Sequence, residues 1–368
     1  MNILFYTPLN TRSRDIESQA REFEKRGHTI FLLTLSPHSI LHEAFRSYGY
    51  QTASTESSSS FQYFAVLQRL VKFVAHCRQN QIDIVYAHLE PANFIAVLGQ
   101  FLVKARVVVC RHHIDFAKLT GFDRDFSYRI TYKLAKEIIV VSKQAKDYMV
   151  SQEGVSKERI HQIDLAYDFA LYDSVNSEEA LEIRNRYSAD VLLLTVGRLN
   201  SHKRPEISIR LLRHLVDLKL DVKLLILGEG ELLQVLKNLA ISLGVHDRVF
   251  MKGYVNNVLD YMKAGDFMIH PSISESSCIS LKEAGLAGLP SIVCKGVGDF
   301  DDIIQNAENS FLVEEDDFER LSAVIIQDYA KNKLPYKRIG LKLRADILKR
   351  FDIENAAPYY EKTFHQPP

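Results

Sequence analysis

Glu275 and Glu283 lie eight positions apart in SESSCISLKEAGLAGLPSIVCKGVGDFDDII, residues 274–304. The first follows DFMIHPS (266–272), a strand-like run, and the second sits in SLKEAGLA, where the pattern turns helical. A strand, a short polar loop and a helix start leave backbone N–H groups facing outward, and the helix dipole adds partial positive charge. A carboxylate on each side of such an anion site can hold the hydroxyls of a sugar and a ribose while the N–H groups hold phosphates between them. That layout suits a nucleotide-sugar. A glutamate pair eight apart is also common in any helix-rich protein, so its weight comes from its place after a strand, with Arg198 and Lys203 upstream.

Elements that could position such groups alternate along the chain. Strand candidates in the first half are ILFYT (3–7), TIFLLT (29–34), IDIVYA (82–87), RVVVC (106–110) and EIIVVS (137–142). Each is mostly apolar on consecutive positions and rich in β-branched residues, as strands buried on both faces should be. Helical patterns such as SRDIESQAREFEKRG and FQYFAVLQRLVKFVAHCRQ separate them, and Gly27 caps the first. Residues 170–190 are polar and strand-free and read as a linker with an entry helix. A second series follows: VLLLTVG (191–197), VKLLILG (222–228), RVFMKG (248–253), DFMIHP (266–271), LPSIVC (289–294) and SFLVE (310–314). The alternation predicts two doubly wound α/β domains, at 1–169 and 170–350, with a late helix over 351–368 that could pack back on the first. Ligands of open parallel sheets bind beyond the C-terminal strand ends. The loops RLNSHKRPE, EGELL and YVNN and the Glu275–Glu283 segment all fall there.

The 368 residues fit two domains, with 46% hydrophobic and 25% charged residues and zero net formal charge, which gives no reason to expect nucleic acid. Residues 1–170 hold 21 Lys+Arg against 17 Asp+Glu, a mildly basic half that could face an anionic membrane or acceptor, or reflect chance. Cys77, Cys110, Cys278 and Cys294 lack paired spacing and read as buried free thiols of a reducing compartment. MNILFYTP is a strand pattern rather than a leader, and no run reaches membrane-spanning length, so a cytoplasmic protein is expected, with room for peripheral contact on the inner membrane face.

The second half resembles glycosyltransferase family 4, the retaining enzymes of the GT-B fold, through VGRLNSHK, LLILGEGELLQVLKNLA, GVHDRVFMKGYV, HPSISESSCISLKEAGLAGLPSIV and NSFLVEEDD. FEKRGHTI, DIVYAHLE, VVVCRHH and AKEIIVVSKQAKDYM extend the likeness into the first half. The resemblance implies two Rossmann-like domains facing a cleft, a nucleoside-diphosphate sugar as donor and a glycan or lipid-linked acceptor. It assigns Arg198 and Lys203 to the donor diphosphate, Glu283 to the ribose and Glu275 to the transferred sugar. Backbone near Ser280 and Leu281 would hold phosphate, and Gly253, Tyr254 and Val255 would lie near the base. His112 or His113 would face the sugar, His112 fitting the family position better. No metal or other cofactor is implied, because fixed cations and a helix N-terminus can stabilise the leaving diphosphate, each contact lowering the barrier by roughly 3 kcal/mol.

Departures from the family pattern mark where this chain differs. The loop after the first strand, PLNTRSRD, has no glycine, and Arg12 and Arg14 there are candidates for binding an anionic acceptor. Leu165-Ala166-Tyr167-Asp168 replaces the usual Asn-Gly-Val-Asp, Ser276-Ser277-Cys278 stands where Gly-Phe-Gly is frequent, and Arg204 follows Lys203 in place of glycine. GEGE (228–231) reads as a plain strand-to-helix turn, and Asp123-Arg124-Asp125 and Asp299-Phe300-Asp301 read as solvated charge rather than metal motifs. Zinc at His112 and His113 is not expected, for want of a nearby Cys or further His at ligand spacing. The helical stretches 61–78 and 126–137 mix aromatics with basic residues and fit a core-facing helix or an interfacial one. Rival functions are a nucleotide-sugar epimerase on the same fold and a catalytically silent binding subunit.

Overall fold

The computed structural model describes residues 1–37, 40–59, 61–112, 122–172 and 175–365, with the side chains of 62 and 122–126 left aside. The chain forms two compact units, Met1–Leu171 with Phe351–Pro368, and Tyr172–Arg350.

In the first unit seven parallel strands, β1 (Asn2–Thr7), β2 (Thr29–Thr34), β3 (Gln51–Ser54), β4 (Ile84–His88), β5 (Arg106–Arg111), β6 (Glu137–Val140) and β7 (Ile160–Gln162), lie in the order β3-β2-β1-β4-β5-β6-β7. The chain reverses its direction of growth between β1 and β4, which opens a switch point there. β1 and β4 are buried almost throughout because helices cover both faces. The polar edge strands QTAS and IHQ escape sequence reading, since their pairing is set by the neighbouring strand rather than by apolar pattern. Gly27 takes φ +86°, the left-handed turn that stops the helix Arg14–Lys25. In 126–137, Tyr128 and Tyr132 are buried and flank the Arg111 guanidinium at 5.0 and 5.2 Å, so that stretch faces the core. The helix Gln62–Gln79 buries Ala65, Phe73 and Cys77 but leaves Tyr63, Phe64, Leu67 and Val71 exposed, so a core-facing reading accounts for only half of it.

The last helix, Ile353–His365, belongs to this unit. Tyr167 N–H donates to the Phe351 carbonyl (2.8 Å) and Ile353 N–H to the Tyr167 carbonyl (3.1 Å), which joins it to the segment where Asn-Gly-Val-Asp is usual. Phe23 then meets Tyr360 and Phe364 edge-on at 6.0 and 5.5 Å, and Arg26 and His28 reach Glu361.

In the second unit six parallel strands, β8 (Val191–Val196), β9 (Val222–Leu227), β10 (Val249–Gly253), β11 (Phe267–His270), β12 (Ser291–Cys294) and β13 (Phe311–Val313), run in the order β10-β9-β8-β11-β12-β13. The reversal falls between β8 and β11. All four cysteines of the chain are buried and free. Among the described residues no helix is long and apolar enough to cross a membrane.

The tail contact makes a direct prediction. Phe364→Ala empties a buried aromatic site and should destabilise the protein by about 3 kcal/mol in urea unfolding. Tyr359→Ala, on the exposed side of the same helix, should stay within about 0.5 kcal/mol of wild type.

Candidate active site

Four loops at the C-terminal edge of the second sheet are tied together through backbone. Gly197 N–H donates to the Leu227 carbonyl (3.0 Å), Leu199 N–H to Glu229 (2.9 Å) and Gly228 N–H to Gly253 (2.8 Å). GEGE is therefore more than a plain turn: a Cβ on Gly228 would sit 1.9 Å from the Gly197 carbonyl oxygen, and one on Gly230 2.3 Å from that of Leu199. The loop after β11 joins the same set, since Ile273 N–H and Ser272 Oγ both donate to the His202 carbonyl at 3.0 and 3.1 Å. Ser280 Oγ donates to the Val196 carbonyl at 3.3 Å, which brings the start of the helix Ile279–Ala287 beside the end of β8. Among the described residues no N-cap side chain caps that helix and its first turn has no acidic residue; Asp299 takes the Cys278 N–H, and the N–H groups that follow remain available to an anion.

Glu275 lies at the centre of this edge. Its Oε1 accepts from His270 Nε2 at 2.7 Å and from Lys203 Nζ. Burial opposes a charge on Glu275, yet the hydrogen bond from His270 and the positive charges of His270 and Lys203 outweigh it and pull its pKa down to about 2. Burial likewise disfavours a charged His270, but the adjoining Cys278 sulfur (3.6 Å) and the Glu275 carboxylate lift it to about 9. The sequence-predicted Lys203 and Glu275 thus come together, with His270, which sequence reasoning passed over, on the same oxygen. Arg198 projects exposed from the end of β8, and Arg204, in a left-handed conformation, turns to Glu315.

Under this loop lies an ion pair that the sequence reading missed. Asp299 was expected to be solvated; instead it and Lys282 are each 1% exposed and meet at 2.7 Å. Asp299 also accepts from Cys278 N–H (3.1 Å) and Ser277 Oγ (3.1 Å), and Lys282 donates to Ser277 Oγ (2.7 Å). Charges this deep persist only when paired and fully hydrogen-bonded, so the pair fixes the Ser277-Cys278 turn that leads into the helix. Gly298 (φ +60°) backs onto Glu275, where an added Cβ would come within 2.7 Å of the Glu275 Cβ. The GxG at 296–298 was the available signal for this close approach.

Other sequence-predicted residues are placed unequally. Ser280 and Glu283 stand three apart on the helix, which sets half-buried Glu283 on the side facing β8. Leu281 is buried, so only its backbone can serve a ligand. Gly253 takes φ +71°, Tyr254 beside it is 76% exposed and Val255 is half-buried.

In the first unit, His112 follows β5 and its Nε2 lies 3.0 Å from Nδ1 of fully buried His88 on β4. Burial holds both imidazoles below their ordinary pKa; the neighbouring His112 lowers His88 further, while Asp15 partly offsets the effect at His112. His113 lies outside the described residues. The expectation of no further ligand near His112 is corrected: ligand atoms of His88, Cys110 and His112 lie within 4.8 Å of one another, because β4 and β5 pair His88 with Cys110. Burial pushes the Cys110 thiol up to about 12, away from the thiolate a metal needs. Arg12 forms a two-pronged ion pair with buried Glu17 (2.6 and 3.1 Å), and Tyr48 donates to the same carboxylate. Arg12 therefore neutralises a buried charge in the first turn of the helix that follows its loop; Arg14 is half-buried at the start of that helix.

Two doubly wound parallel units, one carrying cations, a carboxylate and an uncapped helix start at its switch point, define a Rossmann-like α/β enzyme of the GT-B class. Residues 176–340 match the family described as Glycosyl transferases group 1, and residues 13–170 that described as Glycosyltransferase Family 4. The chain belongs to this family and is a glycosyltransferase of glycoconjugate biosynthesis. It is 23% identical over 356 residues to N-acetyl-alpha-D-glucosaminyl L-malate synthase of Bacillus anthracis, covering 94% of this chain and 91% of the relative. Against N-acetylgalactosamine-N,N'-diacetylbacillosaminyl-diphospho-undecaprenol 4-alpha-N-acetylgalactosaminyltransferase of Campylobacter jejuni it is 27% identical over 230 residues, 61% of this chain and 60% of that one. The crystal structure of Anabaena HepE in complex with UDP shares the fold at a TM-score of 0.84 and 18% identity, over 99% of each chain.

Two predictions follow from the charge arrangement. Lys282→Met strands Asp299 and should cost about 3–5 kcal/mol, whereas Lys282→Met combined with Asp299→Leu should recover much of that loss in denaturant unfolding. For the Glu275–His270 pair, a lowered carboxylate stabilises the fold above its ordinary value of 4.5 and loses this as pH falls toward 2; a raised histidine stabilises it below 6.5 and loses this as pH rises through 9. The difference in Tm between wild type and His270→Gln should be widest between pH 4.5 and 6.5 and should shrink toward pH 9. A difference independent of pH would contradict the charged pairing.

Proposed function

We propose that the enzyme is a retaining, metal-independent transferase that moves a sugar from a UDP- or GDP-sugar to a glycan or lipid-linked acceptor. The observation that carries this reading is the uncapped start of the helix Ile279–Ala287, set beside Lys203, Arg198 and an ionised Glu275. The donor diphosphate would lie on the helix N-terminus with Arg198 and, after turning from Glu275, Lys203; Glu283 would hold the ribose. As the bond from the anomeric carbon to the diphosphate oxygen breaks, these groups stabilise the negative charge left on phosphate. Glu275 stabilises the positive charge that develops on the sugar ring. The acceptor oxygen bonds to the anomeric carbon on the face the diphosphate leaves, and its proton passes to the departing phosphate oxygen. His112, held neutral, would offer a hydrogen bond without adding charge. The UDP bound to HepE and the alpha linkages named for the two relatives support this donor and outcome. The undecaprenol-linked substrate named for the Campylobacter relative supports a lipid-linked acceptor. Reaction at the cytoplasmic side of a membrane accords with such an acceptor.

The test is a thermal-shift series with UDP, GDP, ADP and CMP in EDTA. One diphosphate at about a hundredfold excess over Kd should stabilise the wild type by about 2.7 kcal/mol, and Glu283→Ala should lose the shift. Glu275→Gln should bind the nucleotide yet lower kcat by about a hundredfold or more. NMR of the product should show the donor's anomeric configuration. Inversion of a ring carbon in donor alone would establish the epimerase instead, and nucleotide binding without turnover would establish a silent subunit.

A further inference from the structure

The helix Gln62–Gln79 is apolar on two faces and only one is covered. Ala65, Phe73 and Cys77 are buried in the first unit's core. On the other side Phe61, Tyr63, Phe64, Leu67 and Val71 stand 53–87% exposed, spaced along one stripe. Arg78 at the end of the helix donates to the Leu102 carbonyl at 2.9 Å, which brings exposed Phe101 and Leu102 to the end of the stripe. Isolated exposed apolar residues need no explanation; seven of them along one helix and at its end, four aromatic, do.

Charge identifies the occupant. From Ser57 through Ile82 there is no Asp or Glu, and from Pro91 through His112 there is none either. The cations Lys72, Arg78 and Lys104 are exposed around the apolar stripe. Lys72 donates to the backbone carbonyl of Glu56, which is the acidic residue at the margin, and remains exposed to solvent. Aromatic rings at both ends, aliphatic residues between them and three flanking cations against one marginal acid, Glu56, form the pattern of a helix lying in a bilayer interface. A protein partner would need no such predominantly cationic border.

We infer that this face docks the enzyme onto an anionic lipid surface, with the rings of Phe61, Tyr63, Phe64 and Phe101 in the headgroup layer and Lys72, Arg78 and Lys104 on lipid phosphates. The inference goes beyond the transferase reading and stands without it.

Flotation with vesicles tests it, comparing phosphatidylcholine alone with phosphatidylcholine containing about one third phosphatidylglycerol. Wild type should float with the anionic vesicles and not with the neutral ones. Phe64→Asp with Leu67→Asp should lower partitioning by at least about tenfold, as should Lys72→Gln with Arg78→Gln. Both variants change exposed positions and should keep the wild-type circular dichroism and the nucleotide thermal shift, which separates failure of this inference from failure of the donor site. Flotation that the substitutions leave unchanged would overturn the inference. So would equal binding to neutral vesicles, or absence of binding by a protein that stays monomeric. A concentration-dependent dimer in light scattering, lost in Phe64→Asp with Leu67→Asp and accompanied by no flotation, would overturn it in favour of a contact between two copies of the chain.

Discussion

Lys282 and Asp299 bury opposite charges against each other beneath the Glu275 loop, and the geometry of this strand-end edge hangs on that pair. Its cost is desolvation; its return is that every oxygen and proton of the two groups must find a partner, which leaves the Ser277-Cys278 turn one conformation. The turn in turn sets where the helix Ile279–Ala287 begins, and so where its free N–H groups point. Glu275 is then aimed from two directions, by Gly298 behind it and by His270 beside it. A carboxylate fixed in this way needs little reorganisation when charge develops on a substrate.

The histidines at the strand ends of the two sheets are treated in opposite ways. His270 sits against an anion and is lifted toward the charged form, while His88 and His112 sit against rings and each other and are held neutral. One environment keeps a carboxylate ionised. The other keeps hydrogen-bonding rings at the end of β4 and β5 without adding charge. Arg12 and Glu17 fit the same pattern: a cation that reads as a ligand hook in sequence neutralises a buried acid in the first turn of the helix that follows.

Much of the fold was legible because strands buried on both faces write themselves as apolar runs. All six strands of the second sheet fall within the runs VLLLTVG to SFLVE, and Lys203, Glu275 and Ser280 gather where the switch-point rule places them. What stayed hidden depends on neighbours distant in sequence. Lys282 looks like the solvated lysine of an amphipathic helix, and Asp299 like a charged loop residue, until the loop after β12 folds over the helix start. His88 and His112 are 24 residues apart and meet only because β4 and β5 pair in register. The glycines of GEGE carry no label for the carbonyls they must clear. QTAS and IHQ are strands by position in the sheet, not by composition.

Tyr254 stands 76% exposed on a backbone that Gly253 anchors to Gly228. The chain has 17 tyrosines and no tryptophan, so its intrinsic emission is phenolic throughout. An indole introduced at position 254 would be the sole emitter of its kind, mounted on a fixed loop next to Gly253 at the strand-end edge. Fluorescence at that one position would then be an optical gauge of what approaches this edge, readable in the intact protein without a label.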